Sequence, residues 1–214
     1  MSSERSAHRL RPAPARFDRP RRTVRRVRET MAVVDRRIFL PADQARFAHA
    51  DMPLQIGYGA TCSQPSTVEA MLQLLQPSPG DRVLDVGSGS GWTTALLARL
   101  VAPGGSVIGV EIEPELVEIG RENLAAWGGV EGVPARIEQA VPGRVGMPEK
   151  GPFDRILVSA DARELPAGLL EQLADGGRMV VPVRGRMAVV DRIGADVQTR
   201  YFGSFSFVPL RAAD

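Results

Sequence analysis

The sequence holds one cysteine (Cys62), one lysine (Lys150) and two histidines (His8 and His49) among 214 residues. A single cysteine excludes an internal disulfide, and no Cys/His cluster has the spacing of metal ligands, so no metal is expected. A nucleophilic pair between Cys62 and His49 has no motif behind it, and Cys62 reads as a small buried apolar residue. No apolar run approaches the ~18 residues that span a bilayer. The N-terminus is rich in arginine and lacks the continuous apolar stretch of a secretory signal. These absences point to a cytoplasmic protein with no membrane partner.

What remains is ordinary globular material, 43% hydrophobic and long enough for one domain with a buried core. The net charge of +2 conceals an asymmetry. Residues 1–37 carry twelve arginines against four acidic residues, net +8, while the rest carries fifteen basic and twenty-one acidic residues, net −6. Residues 1–34 therefore read as a basic, Arg/Pro-rich, disordered tail, and 35–214 as the folded domain. A basic arm can bind nucleic acid. A solvated tail, or a chain that starts at Met31, is the plainer reading, and nucleic acid is not an expected partner. With one lysine in the chain, the arginines reflect codon composition rather than selection for bidentate contacts.

Ser66-Thr67-Val68-Glu69 has the spacing of a capping box, and Val68, Met71, Leu72 and Leu75 follow at helical intervals. Arg82–Val86 reads as a buried strand, Gly87–Gly91 as a glycine-rich loop, and Trp92–Val101 as a helix. A strand over Ser106–Val110, a helix from Pro114 and a short strand over Arg155–Val158 come next. Leu165–Leu173 is expected to be helical and to end at Gly176-Gly177. Strands over Met179–Val183, Met187–Ile193 and about Phe205–Leu210 close the chain. Alternating strands and helices predict an α/β fold with a mostly parallel, doubly wound sheet, and the closing strands predict an antiparallel C-terminal edge.

The strongest local signal is Val83-Leu84-Asp85-Val86-Gly87-Ser88-Gly89-Ser90-Gly91, where a strand runs into a glycine loop that opens a helix. Gly87, Gly89 and Gly91, with Ser88 and Ser90 between them, let backbone approach a ligand at the carboxyl end of the strand. Glu111, twenty-four residues after Gly87, can accept hydrogen bonds from both hydroxyls of a ribose. The loop is Gly-x-Gly-x-Gly rather than the dinucleotide pattern Gly-x-Gly-x-x-Gly. Asp85 would repel a pyrophosphate and suits the cationic amino group of S-adenosylmethionine. The pattern thus predicts a Rossmann-like class I methyltransferase with S-adenosyl-L-methionine as cofactor.

Around this core the chain resembles the protein-L-isoaspartate O-methyltransferase family over roughly residues 35–211. The resemblance rests on Asp35-Arg36-Arg37-Ile38-Phe39-Leu40-Pro41, on Gly151-Pro152-Phe153-Asp154-Arg155-Ile156, on Phe207-Val208-Pro209-Leu210 and, most specifically, on Ile56-Gly57-Tyr58-Gly59-Ala60-Thr61-Cys62-Ser63-Gln64-Pro65. It implies methylation of the free α-carboxylate of an L-isoaspartyl residue in a damaged protein or peptide, a repair reaction in which the ester closes to a succinimide. It also implies catalytic hydroxyls at Thr61 and Ser63, and a monomer is expected. An acceptor carboxylate is ionised at neutral pH, so no general base is required. The plainer reading of Thr61 and Ser63 is that they stabilise the turn before the helix.

Three places depart from the family pattern, the last of them at two residues. Pro142-Gly143 stands where an adenine-facing Asp-Gly pair is usual, with Glu138 or Gln139 as candidate substitutes. Cys62 replaces a branched aliphatic residue. Asp161 and Arg163 occupy places near the substrate mouth that are usually small and uncharged. These departures leave two alternatives, a carboxyl methyltransferase for an aspartate of one dedicated peptide, and a catalytically impaired S-adenosylmethionine-binding homologue. A tRNA methyltransferase fits the basic tail but not the acidic body or the Thr61–Pro65 loop.

Overall fold

The structure is a computed structural model that describes residues 19–141 and 143–211. The part of the expected tail before Arg19, and Pro142, lie outside the described residues. The elements run α1 (Arg19–Val33), β1 (Leu54–Gly57), β2 (Ala60–Cys62), α2 (Pro65–Leu75), β3 (Arg82–Val86), α3 (Trp92–Leu100), β4 (Ser106–Glu111), α4 (Pro114–Trp127) and β5 (Ala135–Gln139). They continue with β6 (Phe153–Val158), α5 (Ala167–Glu171), β7 (Leu173–Val183), β8 (Arg186–Ile193) and β9 (Asp196–Phe202).

Seven strands form one sheet in the order β5-β4-β3-β6-β7-β8-β9. The first five of these run parallel, and β8 and β9 add antiparallel. The expected α/β class, parallel body and antiparallel C-terminal edge are all present. β3 is flanked by β4 on one side and β6 on the other, so the direction of winding reverses there. A crevice opens at such a point outside the carboxyl ends of the strands.

Two-residue periodicity divides each inner strand between two cores. Val83, Val107, Leu157 and Val180 pack with α1 to α4, whereas Leu84, Ile108, Ile156 and Met179 face Phe153, Met147 and Leu169 on the other side. α4 crosses close to the glycine loop because it carries Gly120 there. A Cβ at Gly120 would stand 2.5 Å from Ile137 Cδ1 and 3.0 Å from the Gly89 carbonyl.

Several elements differ from the sequence expectation. Residues 19–33, read as part of a disordered tail, form α1, and Val27 and Val34 are fully buried. Val24, Val27, Met31 and Val34 do recur at helical spacing, and arginine stems can cover apolar surface while their charged ends stay wet. Arg26 donates to the carbonyls of Pro77 and Leu100, fastening α1 to the C-terminus of α3.

The Ser66 capping box is not formed. Pro65 opens α2, no side chain of the N-cap residue caps it, and the Ser66 amide donates to Asp51 Oδ1 at 2.8 Å. Proline at a first helical position needs no partner for the donor it lacks. The helix expected over 165–173 is only the short α5, and Gly176-Gly177 lies inside β7 beside an irregular register with β6. Residues 205–210 are extended but not a strand, held by single bonds such as Asp161 N–H to the Val208 carbonyl. The edge strand is β9, which the sequence reading missed, as it missed β1, β2 and β5.

Truncating Val27 to alanine removes two carbons from a fully buried site. It is expected to cost about 1.5–2.5 kcal/mol and to lower the melting temperature by roughly 3–8 °C. A thermal melt of the full chain checks this, and an unchanged midpoint would mean that α1 does not pack on the body.

Candidate functional site

A cavity of about 630 Å³ opens over the carboxyl ends of the parallel strands. Its floor is the Val86–Ser90 segment after β3, Glu111 and Ile112 after β4, Ala140 after β5, and Ser159 and Ala160 after β6. One wall is the 58–64 loop and another the 204–211 segment. Every parallel strand of the winding point thus delivers its terminal residues to one place.

The glycine loop forms as the sequence predicts. Gly87, Gly89 and Gly91 all have positive φ, a region that costs glycine little. Gly91, at φ +94°, ends the loop as the N-cap of α3, and a Cβ there would stand 3.2 Å from the Gly120 carbonyl. Asn123 of α4 donates to the Ser90 carbonyl and braces the loop from behind.

Glu111 ends β4 and reaches back across the loop. One oxygen accepts the Gly89 amide at 2.8 Å; the other accepts the Ile112 amide at 2.7 Å and the Glu113 amide at 3.1 Å. Its carboxylate is buried and still lines the cavity. It both shapes the loop and presents acceptors to a ligand.

Asp85 is placed differently from the expectation. It is fully buried and does not line the cavity. Strand alternation sends its side chain to the α3 face of the sheet, where Thr93 and Thr94 hydroxyls each donate to Oδ2 at 2.7 Å. Oδ1 has no partner. Burial pushes the carboxyl up to about 6, the two threonine hydroxyls pull it back down, and the charge of Glu111 adds to the rise. Thr93 does line the cavity, so Asp85 meets the site through that hydroxyl and through its field.

Thr61, Cys62 and Ser63 all line the cavity, and Cys62 is also buried against the core. Neither hydroxyl is engaged by another described residue, which disfavours the turn-stabilising reading, because a turn hydroxyl would hold a backbone group. Burial pushes the Cys62 thiol up, which suits an apolar role rather than a nucleophile.

The other departures resolve as follows. Glu138 pairs with Arg136, and Gln139 donates to the Glu111 and Ile112 carbonyls, so neither replaces an adenine-facing aspartate in the cavity lining. Asp161 accepts the Gly185 amide and bridges to the C-terminal segment; neither it nor Arg163 lines the cavity. Sequence reasoning missed Trp92, Thr93, Ser159 and Arg144, which line it from three separate segments. Only Trp92 and Thr93 carried a signal, by following directly on the glycine loop.

Three buried polar atoms of the lining, Ser88 Oγ, Trp92 Nε1 and Ser159 Oγ, have no partner among the described residues. Buried polar groups are normally satisfied, so their convergence marks a place for a polar ligand. With the ribose-sized acceptor pair at Glu111, the residues fit an adenosyl cofactor without phosphates.

Comparison with known proteins agrees. The family profile described as "Protein-L-isoaspartate(D-aspartate) O-methyltransferase (PCMT)" matches residues 18–214. A protein-L-isoaspartate O-methyltransferase of Aeropyrum pernix is 52% identical over 162 residues, covering 75% of this chain and 61% of that one. That of Methanopyrus kandleri is 43% identical over 190 residues, covering 86% and 83%. A Plasmodium falciparum protein-L-isoaspartate O-methyltransferase, crystallised with S-adenosyl-L-homocysteine, superposes with a TM-score of 0.76 at 28% identity, covering 90% of this chain and 94% of that one.

Proposed function

The chain belongs to the protein-L-isoaspartate(D-aspartate) O-methyltransferase family, and we propose that it transfers a methyl group from S-adenosylmethionine to the α-carboxylate of L-isoaspartyl residues in damaged proteins or peptides. The observation that carries this reading is the cavity itself, with unengaged hydroxyls at Thr61 and Ser63 on one wall and Gly87–Gly91 with Glu111 on the floor.

S-adenosylmethionine, when bound, supplies an electrophilic methyl group on a sulfonium. Glu111 would hold the ribose hydroxyls, and the unpartnered Ser88, Trp92 and Ser159 donors would meet other polar atoms. Thr61 and Ser63 would orient the acceptor oxygen. Hydroxyls do this without neutralising the acceptor's charge, so its nucleophilicity is kept. The acceptor already carries its negative charge, and no residue need remove a proton from it.

None of the described helices is long and apolar enough to cross a membrane. A lone buried thiol suits a reducing compartment, and we place the enzyme in the cytoplasm as a monomer acting on protein and peptide chains. The deciding measurement is methyl transfer to an isoaspartyl peptide and to its aspartyl twin. Transfer to the first alone supports the proposal. Transfer to the aspartyl twin instead favours the dedicated-peptide reading, and transfer to neither, with cofactor bound, favours the impaired homologue.

Asp85 gives the cofactor affinity a pH dependence. Its carboxyl titrates near 3.8 in an unfolded chain and about 6 when folded. The folded state therefore holds this proton more tightly, so Asp85 adds stability below about pH 4, and that stability is lost as pH rises through about 6. A cationic ligand favours the ionised form, with the opposite consequence for binding. Affinity for S-adenosylmethionine is expected to rise about tenfold between pH 5 and pH 7. Calorimetric titration across that range checks it, and Asp85→Asn should flatten the dependence.

A further inference from the structure

We propose that Arg36 is a positioning residue that sets the Thr61–Ser63 wall of the cavity against its cofactor floor. The inference rests on the assignment of Ser63 to the acceptor given above.

Arg36 sits in a single 3-10 turn, Arg36–Phe39, whose start is held by Asp35 accepting the Arg37 amide. Its side chain points inward and is 5% exposed. Charged side chains are rarely fully buried unless they are paired, yet no ion pair of Arg36 occurs among the described residues. Backbone carbonyls take its place. Nη1 donates to Ala48 and Ala50 at 3.3 and 3.2 Å; Nη2 donates to Met52 at 3.0 Å and to Cys62 and Ser63 at 2.9 Å each. The guanidinium carbon also lies 5.1 Å from the centre of the Trp92 ring.

Two consequences follow from this geometry. First, the Cys62 and Ser63 carbonyls are pinned to one cation behind the wall. This fixes the peptide planes on either side of Ser63 and so the direction in which its side chain leaves the backbone. Trp92 lines the cavity from the start of α3 and follows immediately on the glycine loop. One planar group thus touches both the wall and the residue that follows the glycine loop. A methyl transfer requires acceptor oxygen, methyl carbon and sulfur in line, and small misplacements of such groups lower rates steeply. Second, Arg36 makes no direct ion pair among the described residues, although its charge reaches the Asp51 carboxylate, and it cannot be titrated away. It stands directly behind the wall to which an anionic acceptor must come.

Lysine cannot reproduce this arrangement, because it is a point charge with three donors where the guanidinium is a planar fork with five. In the full-length protein, Arg36→Lys is expected to lower kcat/KM for an isoaspartyl peptide at least tenfold, while the Kd for S-adenosylhomocysteine changes less than threefold. On a Ser63→Ala background the same substitution is expected to cost less than threefold, because the residue it positions is gone. Additive losses would overturn the proposal, and so would a loss accounted for by the unfolded fraction seen in a thermal melt.

Hydrogen exchange supplies an arm independent of activity. Backbone amides of residues 60–64 are expected to exchange faster in Arg36→Lys, with β4 unchanged, and unaltered protection would overturn the proposal by itself. Should Arg36→Lys not fold, Asp35→Ala loosens the turn that carries Arg36 and is expected to give the same pattern. Wild-type protein inactive on the isoaspartyl peptide would refute the proposed reaction instead, and the exchange experiment would then decide the role of Arg36.

Discussion

Replacing Ser63 with alanine is expected to lower turnover on an isoaspartyl peptide about thirty- to over a hundredfold, while leaving cofactor affinity within about threefold. The size follows from removing one hydroxyl that orients an anion in a closed site, a loss on the order of 2–3 kcal/mol. The selectivity follows from position. Ser63 stands on the 58–64 wall, outside the glycine loop, and its hydroxyl is held by no other described residue. A hydroxyl that served only the turn would give a lower melting temperature and normal turnover per folded molecule. Measuring melting temperature, S-adenosylhomocysteine binding and turnover on one preparation separates these outcomes, and unchanged turnover would remove Ser63 from the catalytic machinery. Thr61→Ala should follow the same direction with a smaller loss, since Thr61 shares the face but lies one residue pair further along the strand.

Glu111→Ala is expected to weaken binding of S-adenosylmethionine by about 1–3 kcal/mol, roughly five- to more than a hundredfold, because each ribose hydroxyl loses a charged acceptor. Here the structure adds a second effect. Glu111 also accepts the Gly89, Ile112 and Glu113 amides, so its removal frees three donors and loosens the loop. The melting temperature of the ligand-free protein should therefore fall as well. Glu111→Gln keeps an acceptor and should recover part of both losses. Calorimetry with the cofactor and with NAD is the direct check. Micromolar binding of NAD, with no binding of the sulfonium, would end the methyltransferase reading.

The central elements were legible because they obey local rules. β3 and β4 are mostly apolar runs between turns, as strands buried on both faces tend to be. The glycines at 87, 89 and 91 mark a backbone that no other residue adopts as cheaply. The hydroxyls at 61 and 63 fall in one short local motif, and both reach the cavity. α1 was hidden because its apolar stripe is thin and separated by arginines. Its stability comes from α2 and α3 against it, which no local window contains. The capping box at Ser66 was a sound local signal, but Pro65 starts the helix one residue earlier, and Asp51, fifteen residues away, takes the amide. The helix expected at 165–173 forms only over Ala167–Glu171, and Gly176-Gly177 falls inside β7 because pairing with β6 and β8 takes over from Leu173 onward.

By itself the sequence determined the parallel α/β core, the glycine loop, the acidic residue that ends β4 and the hydroxyl pair before α2. Each of these depends on residues within a few positions of one another, or on a single periodicity. Tertiary structure alone decided where Asp85 points, since the same alternation that buries β3 turns its carboxylate under α3 rather than into the cavity. It also decided that Ser88, Trp92 and Ser159 line one cavity with polar atoms unpartnered among the described residues, and that Arg36 holds carbonyls twelve to twenty-seven residues away. Such contacts are set by the packing of separate segments around the winding point of the sheet. Their energies depend on burial and direction, and neither is written in the spacing of residues along the chain.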